Sequence, residues 1–495
     1  MIKQNTFIFR FLLFIGILSI FSCNTEKKTE KSILLYCAAG IRPAVEEISK
    51  EYEKEYGIRV DIQYGGSGSL LSNLRVAKQG DLYLAGDKSY IDEATKLGLV
   101  RETQALAFMK PVIAVAKGNP KEIRKIEDLF DKKIKVAIAN PDAASIGRLT
   151  KKTLVKSGKW LQLKENLSVM MPTVNEVANS IKIGSVDAGI IWDATAKQYP
   201  EIDIVSAPLF DAKEKNITIG VLSYSEQATE ALKFIRYLSA KDKGLPIFDK
   251  FGYRPIQGDV WKEKPEILFF SGGVNRLAIE KTIQEFEKRE GVEVIRVYNG
   301  CGILVSQMKA GQQPDAYLSC DVSFMSQVTD RFEDITDISK TEIVIATQKG
   351  NPQSIKTLSD LSKSDLKIGV CNEQQSALGS LTKNLLVKLG LWESISKNIR
   401  SQTPTADLLV NQIRTGSLDA VIVYNANVFN VKDKLDVVKL DEKQAMALQN
   451  FGVSVNSDNQ NLVKRLLKAL TNDKSKENYR HNGFSWEFNI SDTEN

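Results

Sequence analysis

Leu34-Leu35-Tyr36-Cys37-Ala38-Ala39-Gly40-Ile41-Arg42 returns further along the chain as Leu268-Phe269-Phe270-Ser271-Gly272-Gly273-Val274-Asn275-Arg276. The same offset carries Gly57 to Gly291, Tyr64 to Tyr298, Asp81 to Asp315 and Asp87 to Asp321. After a slip of two residues the register resumes. Lys117-Gly118-Asn119-Pro120 falls on Lys349-Gly350-Asn351-Pro352, Asn140 on Asn372, Gly147 on Gly379 and Trp160 on Trp392. Pro172-Thr173 and Asp187-Ala188 reappear as Pro404-Thr405 and Asp419-Ala420. Identities kept in order over nearly a whole half mark an internal duplication, and a duplication decides the architecture before any single element is read. The expected division is one copy over 32–257, a linker over 258–265 and a second copy over 266–490.

Within one copy the pattern is α/β. Ile33 to Tyr36 is a short apolar run of the kind that forms a buried strand. Pro43 sits where a first helical turn tolerates it. Val45, Ile48, Tyr52 and Tyr56 recur at helical spacing, and Gly57 is placed to cap that helix before the strand Val60 to Tyr64. Leu82 to Leu84, Val112 to Val115, Val136 to Ala139 and Gly189 to Trp192 supply further strands, between helical stretches such as 148–156 and 175–183. Such alternation predicts mostly parallel sheets covered by helices. A half of this size holds two α/β lobes, with a ligand crevice at the carboxyl ends of the strands.

Two loops carry the chemical argument. Tyr64-Gly65-Gly66-Ser67-Gly68-Ser69 lies between a strand and an amphipathic helix, so backbone N–H groups and a hydroxyl can converge at a helix start. Asn140-Pro141-Asp142-Ala143-Ala144-Ser145-Ile146-Gly147 has the same setting. Two such loops facing each other describe a clamp for an anion.

The composition excludes other chemistries. His481 is the only histidine, so neither a histidine-dependent triad nor a histidine-rich catalytic metal site can be assembled. No enzyme activity and no cofactor are expected. The formal net charge of +6 is spread among interspersed acids and bases without a basic stripe, which argues against nucleic acid as a partner. At the N-terminus, Lys3 and Arg10 precede the apolar run Phe11 to Phe21, too short for a permanent membrane span and shaped like a secretion signal over 1–22. Ile20-Phe21-Ser22-Cys23 resembles the bacterial lipobox, which implies lipid attachment at Cys23, a polar tether over 23–31 and a membrane-anchored protein facing the periplasm or cell exterior.

The segment from Leu34 through Asp87, the Asn140 to Gly147 loop, Val174-Asn175-Glu176-Val177 and Asp187-Ala188-Gly189-Ile190-Ile191-Trp192 together resemble the molybdate-binding proteins of ABC importers. The resemblance implies two tandem periplasmic-binding-protein-like domains, each of two lobes closing over a tetrahedral oxyanion held by hydroxyls and backbone amides, with an ABC permease as partner. Carried over residue by residue, the family's loop serine falls on Ser67 and its amide donors near Ile146 and Val177. Its first serine falls on Gly40 in copy one and Val274 in copy two. Its tyrosine is Trp192 in copy one and Tyr424 in copy two. With Arg42 and Arg276 near the clefts, the candidate ligand residues are Gly40, Arg42, Ser67, Gly68, Ser145, Ile146, Val177 and Trp192, and in the second copy Arg276, Cys301 and Tyr424. The two arginines read equally well as partners of a local acid at a helix start.

A site of donors alone suits molybdate, tungstate or sulfate, which carry no proton near neutral pH. Phosphate would profit from an acceptor, and Asp142 keeps that option open. An iron or other metal collector, or a sensor that reports a ligand without delivering it, is the alternative role. Copy two departs further: Cys301 stands in register with Ser67, while Cys320 and Cys371 replace Gly86 and Ala139. The three thiols read as separate buried residues, as a disulfide between Cys301 and Cys320, or as a soft-metal site.

Overall fold

The computed structural model describes residues 32–441 and 445–486. The secretion signal, the tether and Cys23 lie outside the described residues. Among the described residues no helix is long and apolar enough to cross a membrane.

In copy one the strands are β1 (Ser32–Ala38), β2 (Arg59–Gly65), β3 (Leu82–Ala85), β4 (Val100–Met109), β5 (Pro111–Ala116), β6 (Val136–Ala139), β7 (Leu167–Met171), β8 (Ala188–Trp192), β9 (Ile202–Val205), β10 (Lys215–Leu222) and β11 (Arg254–Pro255). They form a sheet in the order β11-β4-β10-β3-β1-β2 and a second in the order β7-β6-β8-β5-β9, one per lobe. The chain passes between lobes at Lys110 and returns between β9 and β10. The helix Arg42–Tyr56 carries Pro43 in its first turn and ends on Gly57 at φ 65°, a conformation that glycine adopts without a Cβ penalty. Its residues Val45, Ile48 and Tyr52 are fully buried.

The sheets are mixed, not mostly parallel. β2, β1 and β3 are parallel, as are β7, β6 and β8, but β10 runs antiparallel to β3 and β4, and β5 antiparallel to β8 and β9. The reversed strands are those adjoining the passages between lobes. Alternation of strand and helix does not reveal this, because direction there is set by where the chain must cross.

Copy two repeats the plan with β12 (Glu266–Gly272), β13 (Glu293–Asn299), β14 (Ala316–Leu318), β15 (Phe332–Gln348), β16 (Ile368–Cys371), β17 (Ile399–Thr403), β18 (Ala420–Tyr424), β19 (Leu435–Lys439) and β20 (Met446–Ser454). Pairing registers repeat as well: Ala38 opposes Gly65 as Gly272 opposes Asn299, and Pro111 opposes Trp192 as Ile343 opposes Tyr424. One difference follows from a single residue. Pro111 has no N–H, and the chain breaks there into β4 and β5. Its counterpart Ile343 donates its N–H to the Ala445 carbonyl at 2.8 Å, and β15 runs unbroken through both lobes.

Several repeated residues prove to be scaffold. Asp81 accepts from the Leu34 N–H at 2.9 Å and the Ser225 hydroxyl at 2.5 Å, as Asp315 does from Leu268 and Ser457. Asp87 and Asp321 accept from the Ser89 and Ser323 amides and cap the helices that follow. Between the copies, Asp259 accepts from the amides of Asn461 at 2.8 Å and Leu462 at 3.0 Å, capping the helix Gln460–Leu470 from outside.

Candidate functional site

Each copy closes over a small pocket between its lobes. In copy one the wall is built from the turn after β1 (Ala38 to Ile41), the β2 loop (Gly65, Gly66, Ser67), Gly86 after β3, Met109, the loop Ala144-Ser145-Ile146, Thr173-Val174 and Trp192. Among the described residues no charged side chain lines it. Its free volume is about 20 Å³. That exceeds the space a water needs, about 10–15 Å³, and is far below the roughly 300–1,000 Å³ of pockets for organic ligands. In this closed state the site suits a compact ion.

Ser67 is the centre of the arrangement. It is 1% exposed, and its hydroxyl oxygen accepts from the Gly86 N–H at 3.2 Å, which leaves the hydroxyl proton free to be donated. The Tyr83 hydroxyl donates to the Ser67 carbonyl at 2.7 Å and fixes the loop from behind. Ser145 approaches from the other lobe: a Cβ on Gly86 would stand 2.9 Å from its hydroxyl oxygen. The helices Ser67–Ala77 and Ser145–Lys156 both start here without a side-chain cap, so their positive ends face the pocket. Gly40 is held by Tyr253, whose hydroxyl donates to its carbonyl at 2.5 Å.

The lobes touch directly. The Gly68 amide donates to the Ala143 carbonyl across the cleft at 2.8 Å, so it is spent on closure, and its expected role as a ligand donor is corrected. Arg42 does not reach the pocket: its guanidinium lies 4.1 Å over the Tyr64 ring and 3.9 Å from Glu46. Arg276 likewise stacks on Tyr298 at 5.5 Å. Neither arginine lines its pocket. Val177 is fully buried, with its side chain packed toward Gly189 of β8 rather than lining the pocket. The wall from that helix is Thr173 and Val174, which sequence reasoning passed over although the Pro-Thr pair is repeated in both copies. Gly40, Ser67, Ser145, Ile146 and Trp192 are brought together.

Gly40 and Trp192 are matched in size. A Cβ at Gly40 would sit 2.8 Å from Val174 Cγ1 and 3.7 Å from Trp192 Cδ1, so a serine cannot enter without displacing Val174. Copy two makes the reverse choice with Val274, Ala406 and Tyr424 at the three positions, all lining its pocket. Tyr424 is 3% exposed and its hydroxyl has no hydrogen-bond partner among the described residues, while burial raises its pKa far above the ordinary value and keeps it protonated.

The floor of copy two is different chemistry. Cys301 and Cys320 form a disulfide with Cα atoms 6.3 Å apart, at the positions of Ser67 and Gly86. The Cys320 N–H points to Cys301 Sγ at 2.9 Å, as Gly86 points to Ser67. Ala377 replaces Ser145, and all three belong to one apolar cluster. The Ser67 and Ser145 hydroxyls therefore have no counterpart in copy two. Asp407, the counterpart of Asn175, joins the lining and accepts from Asn427 at 2.9 Å. Cys371 is apart from the pair, buried and 4.0 Å from the Thr403 hydroxyl, with its thiol pushed up to about 12 by burial. The three thiols therefore do not gather, and among the described residues no cluster suits a metal. Alkylation of the native, non-reduced chain at pH 8 should leave Cys37 and Cys371 unmodified, and peptide mass spectrometry should recover 301–320 as a linked pair. Rapid labelling of Cys371 would contradict its burial.

A closed cleft between two lobes, crossed twice by the chain and walled by helix starts, defines a protein that encloses a solute. The chain belongs to the bacterial extracellular solute-binding protein family, which it matches twice, over residues 33–254 and 267–485. It is 29% identical over 226 residues to a Haemophilus influenzae protein whose name provisionally assigns a binding role, covering 46% of this chain and 91% of that one. Over 257 residues it is 24% identical to YvgL of Bacillus subtilis, provisionally named an ABC transporter substrate-binding lipoprotein, covering 51% of this chain and 98% of that one. Over 238 residues it is 22% identical to the molybdate-binding protein ModA of Escherichia coli, covering 45% and 89%. Among solved structures it is similar to the Azotobacter vinelandii periplasmic molybdate-binding protein, with 16% identity, a TM-score of 0.39 and coverage of 46% and 100%. Similarity extends to the Mycobacterium tuberculosis sulfate-binding protein SubI, with 19% identity, a TM-score of 0.42 and coverage of 46% and 88%.

Proposed function

We propose that copy one binds a tetrahedral oxyanion of the molybdate, tungstate or sulfate type, and that the chain, anchored through lipid on Cys23, hands it to an ABC permease. The observation that carries this reading is the uncharged closed pocket in which the Ser67 hydroxyl, its oxygen already bonded by Gly86, faces Ser145 across the cleft. Donors without acceptors suit a fully deprotonated anion, and a pocket without a carboxylate spares a dianion from repulsion. The relative named for molybdate supports the same ligand class.

Calorimetry and thermal shift on the mature chain with molybdate, tungstate, sulfate, phosphate and ferric citrate provide the test. A ligand that binds the folded state alone raises its stability with concentration. At least one tetrahedral oxyanion should bind, and silence from the whole panel would refute the proposal. Ser67→Ala should weaken binding by about 1–3 kcal/mol, the cost of losing a hydrogen bond to a charged group.

Copy two takes no such anion in this reading, because a disulfide and Ala377 stand where copy one has hydroxyls, and Asp407 adds a carboxylate. Titration should give one anion per chain. A stoichiometry of two, abolished by half in Ser67→Ala, would show that the second cleft still binds.

A further inference from the structure

The two copies enclose a groove of about 560 Å³ that belongs to neither cleft. That volume is in the range of small-molecule sites, about 300–1,000 Å³. Copy one contributes the start of β4 (Arg101, Glu102, Thr103), and copy two contributes the helices Arg276–Glu290 and Gln460–Leu470. Phe286 and Arg465 line it, both more than nine-tenths buried.

Charge in the groove is unbalanced. Each lining acid already has its cation: Glu290 holds Arg465 at 2.8 Å and Arg236 at 3.3 Å, Glu102 holds Arg289 at 3.0 Å, and Glu285 holds Lys474 at 2.7 Å. Arg101 and Lys468 also line the groove, and no acid among the described residues lies within ion-pair distance of either. Both side chains are exposed at the mouth of the groove, and the Lys468 pKa is lowered by partial desolvation first and then by the neighbouring Arg465 and Lys88 cations. An ammonium in that setting gains from an anion that the protein itself does not supply.

We propose that this groove is a second ligand site, for a small organic anion whose carboxylate or phosphate oxygens meet Arg101 and Lys468. Both copies supply the site, so ligand there bridges them. It stands independently of the oxyanion reading of the Ser67 cleft.

The full mature chain is titrated calorimetrically with citrate and with glycerol 3-phosphate at about 0.01 M ionic strength, where screening is weak. Saturable binding of at least one probe is expected, and which one binds separates carboxylate from phosphate. The double variant Arg101→Glu, Lys468→Glu, at two side chains on the groove's rim, should bind that probe at least tenfold more weakly while keeping the unmodified chain's thermal midpoint and its response to molybdate. No binding of either probe to the unmodified chain overturns the proposal, and so does equal binding by the double variant.

Discussion

Glu290→Ala should destabilise the chain by about 3–5 kcal/mol, the usual loss when one partner of a buried ion pair is removed. Glu290 is 1% exposed and lies between the copies. Its carboxylate accepts from Arg465 at 2.8 and 3.1 Å, and its carbonyl accepts from Arg236 of copy one at 2.7 Å. Burial already pushes the Arg236 pKa down to about 10, against the pull of Glu290 and with Arg465 adding to the repulsion. Removing the carboxylate leaves two guanidinium groups in a desolvated seam, where the Gln104 side chain still accepts from Arg465 and the Asp259 and Glu102 carboxylates act on it without a direct hydrogen bond. Because Arg236 and Arg465 sit in different copies, undocking is the route by which strain is relieved. Denaturant titration should therefore show either the full loss in one transition or two resolved transitions. A change below about 1 kcal/mol in a single transition would mean that water already reaches the triad.

Gly66→Ala should weaken the anion binding proposed for copy one by about tenfold to a hundredfold. Gly66 has φ −70° and ψ 144°, which alanine adopts freely, so the backbone is not the obstacle. The added Cβ would stand 2.3 Å from the Ala143 carbonyl oxygen and 3.0 Å from that of Pro172, both in the opposite lobe. Overpacking of this kind costs about 1–3 kcal/mol, and each 1.4 kcal/mol is about a factor of ten in affinity. Opening the cleft relieves the clash, so the variant should fold with a normal melting temperature. Faster hydrogen exchange at the Gly68 amide, whose acceptor is Ala143 across the cleft, reports the opening without any ligand. Molybdate affinity within about twofold of the unmodified chain, with unchanged exchange, would show that the lobes tolerate the methyl group.

The parts of the site legible in the sequence were those held by local backbone geometry. Ser67 and Ser145 each follow a strand and open a helix, and that grammar is written within ten residues. Arg42 and Arg276 were not resolvable in the same way. A long side chain at a helix start can turn toward the cleft or away from it, and only the position of Tyr64 and Tyr298 shows that both arginines lie over the neighbouring strand. Thr173 and Val174 reach the pocket because β7 ends beside β6, a pairing between segments some thirty residues apart.

The duplication, the two-lobed α/β plan and the equivalence of Ser67 with Cys301 are written in the chain, because each rests on order, spacing and hydrophobic period. The rest depends on how distant segments meet in three dimensions, which is a property of the folded molecule. Tertiary structure reversed β5 and β10, because strand direction at the crossings depends on where the second lobe lies. It paired Cys301 with Cys320 and left Cys371 out, since a disulfide needs two Cα atoms within a few ångströms and the turn after β14 supplies that only for the first two. It also joined the copies through Arg236, Glu290 and Arg465, a contact between residues without a shared motif or period, whose attraction exists only once burial has removed water from between them.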